Sequence, residues 1–130
     1  MSDTTRSTVS GGVAINETER LIASDKVMGT KVYDRQDNHL GSVYNLMMDK
    51  FSGQVAYAVM SFGGFLGIGE KYHPLPWKTL TYDPRLEGYV VNVTREQLER
   101  APTYAADETP WTDAAYGRSV HDYYGTPYSM

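Results

Sequence analysis

Through the middle of the chain, apolar and polar positions alternate in short pieces separated by turn residues. Successive side chains of a strand point to opposite faces, so such pieces read as strands. The pattern predicts six, at residues 31–33, 40–49, 55–62, 70–76, 79–82 and 89–93. Turn chemistry separates them. Asp34-Arg35-Gln36-Asp37-Asn38 offers Asx side chains that bond the backbone, and Lys50-Phe51-Ser52-Gly53 is a turn. Pro74 and Pro76 stand near the end of the fourth strand, where a missing ladder donor is tolerated. Thr94 lies three residues before Gln97, a capping box that predicts a helix from Arg95 to about Arg100, stopped by Pro102. Leu98 and Ala101 are one turn apart and would pack on a barrel end. Ser24 to Val27 reads as a second short helical turn.

Short strands joined by tight turns predict an all-β fold, a small antiparallel six-stranded barrel with one short C-terminal helix, over residues 21–104. Before it, residues 1–20 form a polar Ser-, Thr- and Gly-rich leader, expected to be disordered. After it, residues 105–130 form a Tyr-rich tail, short of aliphatic residues and expected to be either flexible or docked.

The third strand is the most informative. Val55, Tyr57 and Val59 share one face, and Ala56, Ala58, Met60 and Phe62 share the other. A barrel interior explains only one apolar face. The second needs cover from a tail, a helix or another subunit. The second strand places Val43 and Met47 on one side and Tyr44, Leu46 and Met48 on the other, unless a bulge alters the register. Leu46, Val59 and Val91 are expected to be buried. Trp111, Tyr116, Tyr123, Tyr124 and Tyr128 of the tail are either a disordered sticker segment or anchors for an apolar strand face. Eleven tyrosines in the chain suit an interface.

Composition narrows the function. The 130 residues leave room for one domain plus tails. Twelve Lys and Arg stand against 16 Asp and Glu, which argues against a nucleic-acid-binding face. No run approaches the roughly 18 apolar residues of a membrane span. The N-terminus lacks the pattern of a secretory signal, so a cytoplasmic location is expected. The absence of cysteine excludes disulfides, thiolate metal sites and Cys nucleophiles.

No motif proposes a reaction. Phe62-Gly63-Gly64-Phe65-Leu66-Gly67-Ile68-Gly69 has strands on both sides, so it is neither a dinucleotide fingerprint nor a P-loop. It reads as a glycine-permissive hairpin loop whose Phe65, Leu66 and Ile68 form an apolar contact tip. His39, His73 and His121 have no metal-binding spacing. Ser42, Ser52 and Ser61 lack a nucleophile elbow, and the Asp34–Asn38 stretch lacks the glycine and final Glu of a calcium loop. The chain is expected to be no enzyme and to hold no metal or organic cofactor. Trp77 reads as a barrel-end anchor or a contact residue. With the loop tip, Tyr123 and Tyr124, it completes the candidate interaction residues.

Several stretches resemble the PRC-barrel family, named after the cytoplasmic domain of the photosynthetic reaction centre H subunit. They are Ser24-Asp25-Lys26-Val27-Met28-Gly29-Thr30-Lys31-Val32-Tyr33, then His39-Leu40-Gly41-Ser42-Val43, then the glycine loop and His73-Pro74-Leu75-Pro76-Trp77. Gly88-Tyr89-Val90-Val91, Gln97-Leu98, Ala101-Pro102-Thr103-Tyr104 and His121-Asp122-Tyr123-Tyr124-Gly125 extend the likeness to small stand-alone bacterial members. The resemblance implies a β-barrel that serves as a protein-interaction or assembly module, with no catalytic residues. The chain lacks the transmembrane helix of the reaction-centre subunit and the partner domain of the related ribosome maturation factor. Membership of a photosystem and a ribosomal role are therefore not expected. The expectation is a self-associating module with a further unidentified protein partner, a homodimer built on the second apolar strand face, the Phe65-Leu66-Ile68 tip or the Tyr-rich tail. The alternative is a small-molecule or regulatory barrel binding at the mouth near Trp77.

Overall fold

The computed structural model of the chain describes residues 17–62 and 71–128. Most of the predicted leader and the glycine-loop residues Phe65, Leu66 and Ile68 lie outside the described residues. The strand with two apolar faces sits inside the sheet. β3 (Val55–Phe62) pairs antiparallel with β2 (His39–Met48) on one side and β4 (Lys71–Pro76) on the other. β1 (Lys31–Tyr33) pairs antiparallel with β2 and parallel with β6 (Gly88–Val91). β5 (Leu80–Asp83) borders β6, and β7 (Tyr104–Ala105) borders β4.

This corrects the expected six-stranded antiparallel closed barrel in three ways. Among the described residues the order β5-β6-β1-β2-β3-β4-β7 has seven strands, is open, and contains one parallel pair. β7 has two residues, too few for an alternation to register. The parallel pair joins segments far apart in sequence, which a local pattern cannot reveal.

The open sheet still curls around a core, and the chain itself requires this. β4 and β5 are five strand spacings apart in the sheet, about 24 Å if it were flat. Only the 3-10 turn Trp77–Thr79 connects them, and the four steps from Pro76 to Leu80 reach about 14 Å at most. The two regions must therefore approach each other. Trp77 meets Tyr89 of β6 edge-on, with ring centroids 5.5 Å apart. A covalent crossing thus draws the barrel together where a ladder was expected.

The concave face gathers Val32, Leu40, Val43, Met60, Leu75 and Val91. Val27 of α1 (Ser24–Val27) and Leu98 of α2 (Arg95–Glu99) join this core. The capping box of α2 is present: Thr94 Oγ1 accepts from the Gln97 N–H at 3.1 Å, and Gln97 Oε1 accepts from the Thr94 N–H at 2.8 Å. A bulge in β2 corrects the expected facing of that strand. Val43 lies opposite Met60, and the next paired residue, Asn45, lies opposite Val59. The extra residue, Tyr44, turns Val43 and Leu46 to the core side and Met47 to the side of Tyr57. Leu46 is partly buried, while Val59 and Val91 are fully buried. Gly41 lets β2 approach β3 closely, since a Cβ there would run into the Ser61 carbonyl oxygen.

Candidate interaction surface

The second apolar face of β3 is covered by the chain's own tail. After a 3-10 turn at Pro110–Thr112, the tail forms α3 (Ala114–Tyr124). Asp113 caps the helix, its Oδ1 accepting from the Ala115 N–H at 2.9 Å. Gly125 ends it in the left-handed region at φ 70°, where glycine carries no steric penalty. Tyr116, Val120 and Tyr124 recur every fourth residue and so share one helix face; Val120 is fully buried.

Tyr57 and His121 join sheet and tail. The Tyr57 hydroxyl lies 3.1 Å from His121 Nε2, and His121 Nδ1 lies 2.8 Å from Thr126 Oγ1. Around them runs a continuous aromatic belt. Tyr44 stacks on Tyr72 at 4.3 Å, Tyr72 meets Tyr104, and Tyr104 meets Trp111 edge-on at 5.4 Å. Trp111 packs on Tyr57 at 5.3 Å, and His121 meets both Tyr57 and Tyr128. Gly117 makes room for Tyr128, because a Cβ there would stand 2.7 Å from its ring. Tyr57 and Tyr72 are buried and Tyr104, Trp111 and Tyr128 half-buried in this belt, so the tail aromatics Trp111 and Tyr128 are packed in place of disordered stickers, with Tyr44 half exposed at the end of the belt.

Burial sets the protonation behaviour of this seam. It pushes the Tyr57 phenol up, and with the neighbouring Tyr44 and Tyr72 it raises Tyr104 to about 12. Burial pushes His121 below the ordinary imidazole range. Tyr57, Tyr104 and His121 are thus uncharged near neutral pH, as an apolar packing layer requires. Among the described residues, no group of three or more His, Asp or Glu side chains is arranged to hold a metal ion.

The sequence-derived candidates separate here. Trp77 is half-buried against the core and Tyr89, as an anchor would be. The Tyr124 ring packs on the same core. Tyr123 is more exposed, and its hydroxyl donates to the Gln97 carbonyl at 2.6 Å, tying α3 to α2. These three do not form one surface.

Among the described residues the large apolar side chains most open to solvent are Leu21, 73% exposed, and one in a segment that reads from the sequence only as a turn. Phe51, between β2 and β3, is 100% exposed. Its backbone is nonetheless fixed. Asp49 Oδ1 accepts from the Phe51 N–H at 2.8 Å and the Ser52 N–H at 3.3 Å, and the Gly53 N–H donates to the Asp49 carbonyl at 2.9 Å. Met48, three residues earlier, is half exposed. Two clefts flank this hairpin end. One, of about 240 Å³, is lined by Met47, Met48, Tyr57, Pro110 and Trp111, with Asp113 among its walls. The other, of about 410 Å³, lies toward Trp77, Lys78, Gln54 and His121. The signal in the sequence was a large aromatic residue inside a turn, where solvation gives no reason for one.

Compared with known families, the chain matches the family model of the PRC-barrel domain over residues 19–98, more than half its length. The chain belongs to the PRC-barrel domain family. No curated protein matches it. The matched span of this PRC-barrel ends within α2, so the turn at Pro110 and the helix that seal the outer face of β3 lie beyond it. No helix among the described residues is long and apolar enough to cross a membrane.

Proposed function

We propose that this PRC-barrel is a non-catalytic protein-interaction module whose contact surface is the end of the β2–β3 hairpin. The PRC-barrel domain is a known kind of protein-interaction and assembly module. The observation that carries the reading is Phe51, an aromatic side chain held wholly in water on a turn pinned by three hydrogen bonds to Asp49. Solvated aromatic rings forgo the burial that favours folding. One on a fixed backbone beside an apolar cleft suits a contact residue, because only side-chain freedom, and little backbone freedom, remains to be lost on association. The outer face of β3, the other surface that called for cover, is occupied by the tail.

A tagged full-length chain recovered from its native cells, with bound proteins identified by mass spectrometry, tests this. A bound set that disappears with Phe51→Asp supports the reading. A bound set indifferent to that substitution removes the hairpin from it.

The cleft of about 410 Å³ near Trp77 favours a second reading, a small-molecule ligand at the barrel mouth. Its histidine is already engaged at both ring nitrogens, leaving Gln54, Ser52 and Lys78 to orient a ligand. Saturable quenching of tryptophan fluorescence that is lost on Lys78→Ala and unchanged by Phe51→Asp would select it.

A further inference from the structure

We infer that the hairpin end is a two-fold contact with a second copy of this chain, in which Phe51 of each copy fills the cleft beside Met48 and Trp111 of the other. The inference rests on the interaction reading and names its partner.

Size agrees first. A dry apolar cavity of about 150 Å³ accommodates benzene, so a cleft of about 240 Å³ has room for a phenyl ring. Its walls suit that occupant. Met47 and Met48 bring polarizable sulfur, which favours aromatic contacts, and Tyr57, Pro110 and Trp111 bring flat apolar surface. The wider cleft on the Trp77 side is bordered by Lys78, Gln54 and Asp49, a more polar set.

Charge agrees as well. Lys50, adjacent to Phe51, is exposed and has no ion pair among the described residues. Asp113, exposed, lines the apolar cleft. An entering Phe51 brings Lys50 toward that carboxylate.

The partner is identified by where the two halves lie. The aromatic knob with its positive neighbour and the apolar cleft with its negative wall stand at the same end of one chain. Met48 and Phe51 are three residues apart on one hairpin. A two-fold axis between two such ends satisfies both knobs and both clefts at once, as an isologous interface requires. A second copy carries both the knob and the cleft by construction. The tail takes part, since Pro110, Trp111 and Asp113 form one wall of the cleft.

Sedimentation velocity of the full chain, from about 5 to about 300 µM, tests the contact. A reversible dimer is expected, with Phe51→Asp weakening its dissociation constant roughly thirty-fold or more, the scale of a hot-spot residue. Phe51 buries no surface in its own chain, so the circular dichroism spectrum should not change. A wild-type chain that stays monomeric, or a Phe51→Asp chain that dimerises equally well, overturns the inference. Benzoylphenylalanine in place of Phe51, photolysed in native cell extract, separates the partners. An adduct of two copies, joined at Met47, Met48 or Trp111, is the expected product. An adduct with a different protein alone overturns the self-pairing but leaves the interaction reading standing. No protein adduct at all counts against both.

Discussion

Lowering the pH should destabilise this PRC-barrel through His73 by a predictable amount. His73 faces the core from β4 opposite Met60, is 2% exposed, and lies edge-on to Phe62 at 5.2 Å. Its Nδ1 has no hydrogen-bond partner among the described residues. Burial, assisted by the positive charge of Lys71, pushes its pKa from 6.5 down to about 4. The unfolded chain takes up this proton near pH 6.5, and the native chain does so only near pH 4. The associated stability is therefore complete above 6.5 and drains away as the pH falls toward 4. At about 1.36 kcal/mol per pH unit, the separation is worth roughly 3 kcal/mol at the limit and about 2 kcal/mol at pH 5. That is a large share of a stability of about 5–15 kcal/mol. Urea unfolding of the wild type and of His73→Leu at pH 7.5 and 5.0 measures it. The wild type should lose about 2 kcal/mol more than the variant between the two pH values. At pH 7.5 the variant should be at least as stable, because an unpartnered buried nitrogen has been removed. Equal losses in the two proteins would refute the reasoning, as would a His73 ring proton titrating near 6.5 by NMR.

Three further substitutions probe the parts that hold the hairpin and the tail. Gly41→Ala should cost about 1–3 kcal/mol in urea unfolding, because its Cβ meets the Ser61 backbone oxygen and the two strands must part. Asp34→Ala should cost about 2 kcal/mol, since the carboxylate accepts from the Gln36 and Asn38 backbone N–H groups and from Asn38 Nδ2, each at 2.9 Å. Burial alone would raise its pKa, but these bonds hold it below 3.8, so this contribution is present above that pH and lost below it. Val120→Asp would bury a carboxylate under α3 and release the tail; increased binding of a hydrophobic dye and a red shift in tryptophan emission should report it.

Much of the strand pattern could be read from the sequence, because alternation is local. The core of β3, the Asp34 turn and the capping box at Thr94 all follow from neighbours within a few residues. The Tyr44 bulge was not legible, since an extra residue leaves the composition of β2 unchanged while turning Leu46 to the core. The helix at Ala114–Tyr124 is hard to read from the sequence because its inward face is made of one valine, His121 and the partly buried Tyr116 and Tyr124, where aliphatic residues are the usual cue. Its signals were Asp113 as cap, Gly125 as stop, and Tyr116, Val120 and Tyr124 four apart. Two apolar faces on β3 require cover, and the tail supplies it; the sequence does not choose between a partner and the tail, because both can offer aromatic surface. Phe51 is masked in the sequence because Lys50, Ser52 and Gly53 mark a turn, and a turn pattern does not tell an exposed aromatic residue from a packed one.

The central claim is that the tail is a permanent part of the fold and the hairpin end is the free contact surface. Hydrogen–deuterium exchange of the full chain, in dilute and in concentrated solution, tests both halves at once. Amides of α3 and of Tyr57 to Met60 should be protected equally at every concentration, while residues 47–54 and 110–113 gain protection only on concentration. Rapid exchange throughout α3, with β3 gaining protection only in the concentrated sample, would contradict the account.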